Sequence, residues 1–130
     1  MSKWLENSIS FIPQYCLLLS EKEYKSKLIE LNIEGATPFR INNSARACVK
    51  HFDNSTDGSP VCLVCLYDPT NLTVPEVCSV LAHEAVHIYQ RMIEFIGELK
   101  PGDEFMAYSI QTIVHGLISE FFNRKLKKLV

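Results

Sequence analysis

Residues 61–97 read VCLVCLYDPTNLTVPEVCSVLAHEAVHIYQRMIEFIG, and they contain signals for both a strand and a helix. The first seven residues form an apolar run of Val, Cys and Leu that ends in Tyr67, which predicts a β-strand. Farther along, apolar residues recur at spacings of four, seven and four from Val77 to Met92. That period predicts an amphipathic helix from about residue 75 to residue 96. A strand followed by a long helix of this kind indicates an α+β fold.

Local start and stop signals predict the other helices. Ser20 with Glu23 three residues later predicts the N-cap of a first helix in SEKEYKSKLIEL. Thr73 and Glu76 form a capping box for the helix described above. After Gly97, Pro101 and Gly102, a last helix should run from about Asp103 to Lys128. Its predicted core stripe is Met106, Ile110, Ile113, Leu117 and Phe121.

The region between the first and second helices has β-type composition. The segments FRIN (39–42), ARACVKHF (45–52) and VCLVCLY (61–67) are each predicted to be strands. The turn-forming residues of DNSTDGSP (53–60) should reverse the chain between the last two. We therefore expect a small antiparallel sheet of about three strands, within a single α+β domain that spans residues 1–130.

Composition excludes several classes of protein. Thirteen Lys and Arg against fifteen Asp and Glu give a formal charge of -2, which argues against a nucleic-acid partner. The basic residues Arg124, Lys125, Lys127 and Lys128 are interpreted as cations at the negative end of a helix dipole. No segment is apolar for long enough to predict a membrane span. The odd number of cysteines, five, favours a reducing compartment and therefore a cytoplasmic location.

The window HEAVH, residues 83–87, carries the clearest chemical signal. His83 and His87 are one helical turn apart, so their imidazoles share a face and can bind one metal ion. Glu84 lies at the edge of that face, where it can act as general base on a water activated by zinc. The reaction that this pattern predicts is hydrolysis of a peptide bond.

A catalytic zinc ion usually has a third protein ligand, which must come from outside this helix. Glu94 is too far along the same helix, and Gln90 and Ile93 occupy the positions where a metzincin has Gly and His. The candidates that remain are Glu98 in the connection and Glu104 or His115 on the last helix.

The pair of motifs LAHEAVHIYQ (81–90) and EFMAYSIQ (104–111) resembles the small phage-type zincin metallopeptidases of the gluzincin kind. In that family the HExxH helix is followed by a helix with ExxA. The resemblance implies that Glu104 is the third zinc ligand and that Ala107 lets the two helices approach. It also implies an antiparallel sheet whose edge strand pairs with an extended peptide substrate.

Other polar residues are given weaker roles. Glu104, Tyr108, Gln111 and His115 form a polar stripe on the last helix. If this stripe faces zinc, Tyr108 or His115 could stabilise the oxyanion that develops on the scissile carbonyl. His51, at the end of a strand, is predicted to be a surface residue.

The spacing of Cys62 and Cys65 is that of a CxxC motif, but a strand places their thiols on opposite faces of the sheet. We therefore assign them to the core rather than to a zinc knuckle or a redox pair.

The sequence therefore predicts a zinc-dependent metallopeptidase with a minimal zincin-like fold. His83, His87 and Glu104 are its expected metal ligands, and Glu84 is its expected catalytic residue. Two alternatives remain: a catalytically inactive zincin-like protein that binds a peptide or host protein, and a metal-free interaction module.

Overall fold

The chain folds as an α+β structure, as predicted. The computed structural model describes residues 2–5, 12–53, 60–97 and 100–129, apart from the side chains of residues 126–129. In chain order the strands and helices are β1 Gln14–Leu18, α1 Glu21–Glu30, β2 Ala47–Phe52, β3 Val61–Leu66, α2 Val74–Ile96 and α3 Asp103–Leu129, with a short 3-10 turn at Pro69–Asn71. None of the helices in this described part of the chain is long and apolar enough to cross a membrane.

The three strands form one sheet in the order β1-β3-β2. All six residues of the central strand β3 are buried, as expected for a continuous apolar run covered on both faces. β2 pairs with β3 in the antiparallel sense, as predicted, whereas β1 pairs with β3 in the parallel sense. The prediction of about three strands is confirmed, but the prediction of a wholly antiparallel sheet is wrong. The reversal predicted at 53–60 lies mostly outside the described residues.

The prediction of a strand at residues 39–42 is wrong. The third strand of the sheet is β1 instead. Residues 39–42 are irregular, and the apolar side chain of Ile41 is 68% exposed. Arg40 fixes the segment instead, because its guanidinium donates hydrogen bonds to the carbonyl oxygens of Asn42, Asn43 and Ala45.

The predicted helices are all present, and their termini follow the predicted caps. Ser20 Oγ accepts a hydrogen bond from the Glu23 amide at the start of α1. Both hydrogen bonds of the capping box between Thr73 and Glu76 are formed at the start of α2. α2 ends at Gly97, whose φ of 72° lies in the left-handed region that glycine adopts without strain.

The sheet is covered on both faces. α2 and α3 pack on one face, against side chains that include Tyr15, Leu17 and Val64. Tyr24 of α1 belongs to the cluster on the other face. Cys62 belongs to the first cluster and Cys65 to the second, which confirms that their thiols point to opposite faces.

The core stripe predicted for α3 is correct over its second half. Ile113, Leu117 and Phe121 are buried, and Ile110 is half-buried. Met106 is 41% exposed, so its assignment to the core is wrong. Met106 lies in the first turns of α3, whereas this helix contacts β1 farther along, at Gly116 and Arg124.

Gly116 allows α3 to approach β1 closely, so a larger residue at this position should affect stability. A Cβ at Gly116 would lie 2.4 Å from the Tyr15 hydroxyl oxygen. Gly→Ala inside a helix normally stabilises it by about 1 kcal/mol, but overpacking costs about 1–3 kcal/mol. We therefore expect Gly116→Ala to lower the free energy of unfolding, as measured by chemical denaturation.

A second substitution isolates the cause. The Tyr15 hydroxyl is buried and has no hydrogen-bond partner within the described residues, so Tyr15→Phe alone should cost little stability. In the Tyr15→Phe background the next atom, ring Cζ, is 3.4 Å from the new Cβ, so Gly116→Ala should no longer destabilise the protein. An equal loss of stability in both backgrounds would exclude this contact as the cause.

Candidate metal centre

His83 and His87 lie side by side on the exposed face of α2. Their Nε2 atoms are 3.2 Å apart, and their ring centroids are separated by 4.9 Å. Both side chains are exposed, so an ion or a substrate can reach them from solvent. The spacing of four residues therefore brings two imidazole nitrogens close together, as the sequence predicts.

The distance between these nitrogens matches what a shared zinc ion requires. Two nitrogens bound at 2.0–2.1 Å to a tetrahedral ion are about 3.3 Å apart. His87 also has a partner for its other ring nitrogen, because Nδ1 lies 3.0 Å from the side-chain oxygen Oε1 of Gln90. Such a partner on the second nitrogen is usual for histidines that bind metals, since it fixes the tautomer with Nε2 free to coordinate.

Glu84 points away from solvent, between α2 and the edge of the sheet. Its side chain is only 5% exposed, and burial raises the pKa of its carboxyl, although the nearby His83 and His87 act to lower it. A raised pKa suits a carboxylate that accepts and returns a proton near neutral pH.

A cleft of about 320 Å³ adjoins Glu84 and the first histidine. It is lined by Arg46, Ala47, Ser79, Val80, His83 and Glu84. The cleft therefore separates the HExxH motif on α2 from the beginning of β2.

Two ion pairs hold β2 alongside α2. Arg46, just before β2, pairs with Glu76 at the start of α2, and Asp53, just after β2, pairs with Arg91. The strand advances about 23 Å between these points and the helix about 22 Å, so the two elements run in the same direction at matching levels. Within the described residues β2 has a strand partner on one side only, which leaves its other edge free beside the cleft.

The third ligand candidates lie elsewhere. Glu104 is exposed in the first turn of α3. Because α2 and α3 pack together after a short connection, they run in opposite directions, and Glu104 is level with the last turn of α2, about 12 Å beyond His87 along the axis. Glu98 lies outside the described residues. Throughout the described ranges no group of three or more His, Cys, Asp or Glu side chains is arranged to hold a metal ion.

Tyr108 and His115, on the polar stripe of α3, have different surroundings. Tyr108 is 61% exposed. His115 lines a separate cavity of about 870 Å³ between α3 and the N-terminal segment, together with Lys3, Trp4 and Gln111. The structure therefore brings together His83, Glu84 and His87, whereas Glu104 is level with the last turn of α2 and His115 lines a different cavity.

Comparisons with known proteins do not assign the chain to a family. No protein-family model matches it, and no curated protein or solved structure is significantly similar to it.

Proposed function

We propose that this protein is a zinc-dependent metallopeptidase in which His83 and His87 hold the metal and Glu84 is the general base. The observation that carries the proposal is the 3.2 Å separation of the two Nε2 atoms next to a buried carboxylate on the same helix. This donor set fits zinc, because imidazole nitrogens are among its preferred ligands and their spacing suits a tetrahedral ion.

In the proposed reaction Glu84 transfers the proton, and activation of the water and the carbonyl group comes from the metal. Zinc, when bound, supplies a water whose pKa is close to neutrality and polarises a carbonyl group. Glu84 takes a proton from the attacking water and later returns it to the nitrogen of the leaving amine. Burial beside β2 excludes most solvent from this carboxylate, so its proton passes to the substrate rather than to bulk water.

A peptide is the substrate class that the surroundings of the site favour. The free edge of β2 offers backbone N–H and C=O groups to an extended chain, and peptide recognition by strand addition uses such edges. A peptide paired with this edge would follow the cleft between Ala47 and His83. This arrangement supports the zincin-like interpretation.

Glu104 remains the third ligand that the resemblance to gluzincins implies. It would have to reach the histidine pair from the first turn of α3, where it is exposed. Its contribution is therefore tested separately from that of the two histidines, as described in the Discussion.

Metal content and peptide cleavage test the proposed function together. Protein purified without added metal should contain about one zinc ion per chain, cleave members of a peptide library, and lose both properties on chelation. Chelation should also lower the melting temperature by several degrees, since a ligand bound only to the native state stabilises it.

The possible failures separate the alternatives. Zinc binding without cleavage of any peptide would indicate a catalytically inactive zincin-like binding protein. Absence of zinc together with a melting temperature that chelation does not change would indicate a metal-free interaction module.

A further inference from the structure

His51 lies on the face of β2 that is turned toward α2. Successive side chains of a strand point to opposite faces. Ala47 and Val49 pack against the core cluster that contains α2, whereas Cys48 and Phe52 pack against the cluster on the other face. His51 follows Val49 by two residues and so shares the α2 side. It is exposed, as predicted, because it lies near the end of the strand.

The ion pairs that align β2 with α2 also fix the level of His51. His51 follows Arg46 by five residues, and five residues of strand span about 16 Å. His87 follows Glu76 by eleven residues, and eleven residues of helix also span about 16 Å. His51 is therefore level with the second histidine of HEAVH. In agreement with this placement, partial burial of the ring and the charges of Arg91 and His87 on α2 lower the pKa of His51.

A buried thiol orients the His51 ring. Cys62 is directly opposite His51 in the register of β2 and β3, and its Sγ lies 3.2 Å from His51 Nδ1. Burial raises the pKa of Cys62 to about 12, so the thiol keeps its proton at neutral pH. The S–H group can then donate to Nδ1, which is a better acceptor than sulfur. A hydrogen bond in this direction would place the proton of the neutral imidazole on Nε2.

We infer that His51 is a catalytic residue that donates a hydrogen bond from Nε2–H to the carbonyl oxygen of the scissile peptide bond. A peptide on the free edge of β2 passes next to His51, and negative charge develops on that oxygen as water attacks. This inference rests on the proposed function. It assigns to a strand residue the role that the sequence suggested for Tyr108 or His115, and His115 lines a separate cavity.

Kinetics of four variants test the assignment in the full-length protein. His51→Ala should lower kcat by about 100-fold with little change in KM, since loss of one oxyanion donor costs about 10²–10³ in kcat. His51→Gln should recover part of this loss, because its amide N–H can replace Nε2–H. Cys62→Ala should lower kcat less than His51→Ala does, whereas Cys65→Ala, a matched buried thiol on the opposite face of β3, should leave it unchanged.

Two further measurements keep the result independent of the proposed function. Zinc content should be the same in His51→Ala as in the natural sequence, and a loss of zinc would overturn the assignment by making His51 a ligand. Nitrogen-15 NMR without substrate should show the Nε2–H tautomer of His51 in the natural sequence and its loss in Cys62→Ala. An Nδ1–H tautomer, or an unchanged kcat in His51→Ala, would also overturn the inference. Failure of the proposed function would appear separately, as absence of zinc or cleavage in the unsubstituted protein.

Discussion

Glu84→Gln should bind zinc with normal stoichiometry and lose nearly all peptide cleavage. The amide is close in size to the carboxyl but cannot accept the proton of the attacking water, so kcat should fall by about 10²–10⁴-fold. Folding should be retained, because the side chain is 5% exposed and the substitution removes a carboxylate that burial already disfavours. Steady-state kinetics with a cleaved peptide and elemental analysis of the purified variant measure the two expectations.

The matched control is Glu94→Gln, which makes the same chemical change on the same helix. Glu94 is exposed and pairs with Arg91 at 3.2 Å, away from the cleft beside Glu84. This variant should keep its activity. Full activity in Glu84→Gln would remove Glu84 from the mechanism, and equal losses in both variants would indicate a general effect of charge on α2.

His83→Ala should lose the metal itself. Removing one of two converging nitrogens should weaken zinc affinity by more than about 100-fold, because even the partners that only support a ligand contribute 10–100-fold. Cleavage should disappear with the metal, and the melting temperature should fall to that of the chelated natural sequence. Competition with a chromogenic chelator measures the affinity.

Two comparison variants locate the third ligand. His115→Ala removes an imidazole that lines a separate cavity, so zinc affinity should remain unchanged. Glu104→Gln should weaken zinc binding if this residue completes the site as the resemblance implies. Zinc affinity that survives His83→Ala would contradict the metal centre, whichever residue is the third ligand.

Features that depend on residues close together in the sequence were predicted correctly. Ser20 and the pair Thr73 and Glu76 were sufficient to predict two helix starts, because capping hydrogen bonds join residues three positions apart. The geometry of His83 and His87 was predictable for the same reason, since a helix fixes the positions of residues four apart.

Longer-range features were predicted less well. β1 has the sequence QYCLL, which lacks the alternation of a half-buried strand because both of its faces are covered. Residues 39–42 have suitable composition for a strand, but the hydrogen bonds of Arg40 hold them in another conformation. In each case the deciding partner was distant or specific to the tertiary structure.

The positions of site residues outside α2 could not be predicted for the same reason, because they depend on contacts between separate elements. The motif ExxA at Glu104 says nothing about how the two helices align, which depends on the connection between α2 and α3. The placement of His51 next to α2 depends on the ion pairs of Arg46 and Asp53 with residues of α2. These cross-element contacts have no signature in sequence spacing.

The mixed sheet has a consequence for the order in which the protein folds. His51 pairs with Cys62, eleven positions later, whereas Gln14 pairs with Val61, 47 positions later. Closing the longer loop costs about 1 kcal/mol more conformational entropy, and non-local contacts form more slowly than local ones. We therefore expect the hairpin with the proposed catalytic edge to assemble before the N-terminal strand docks. The half of the sheet that contains the proposed substrate-binding edge would then form first, and the N-terminal strand would add to it.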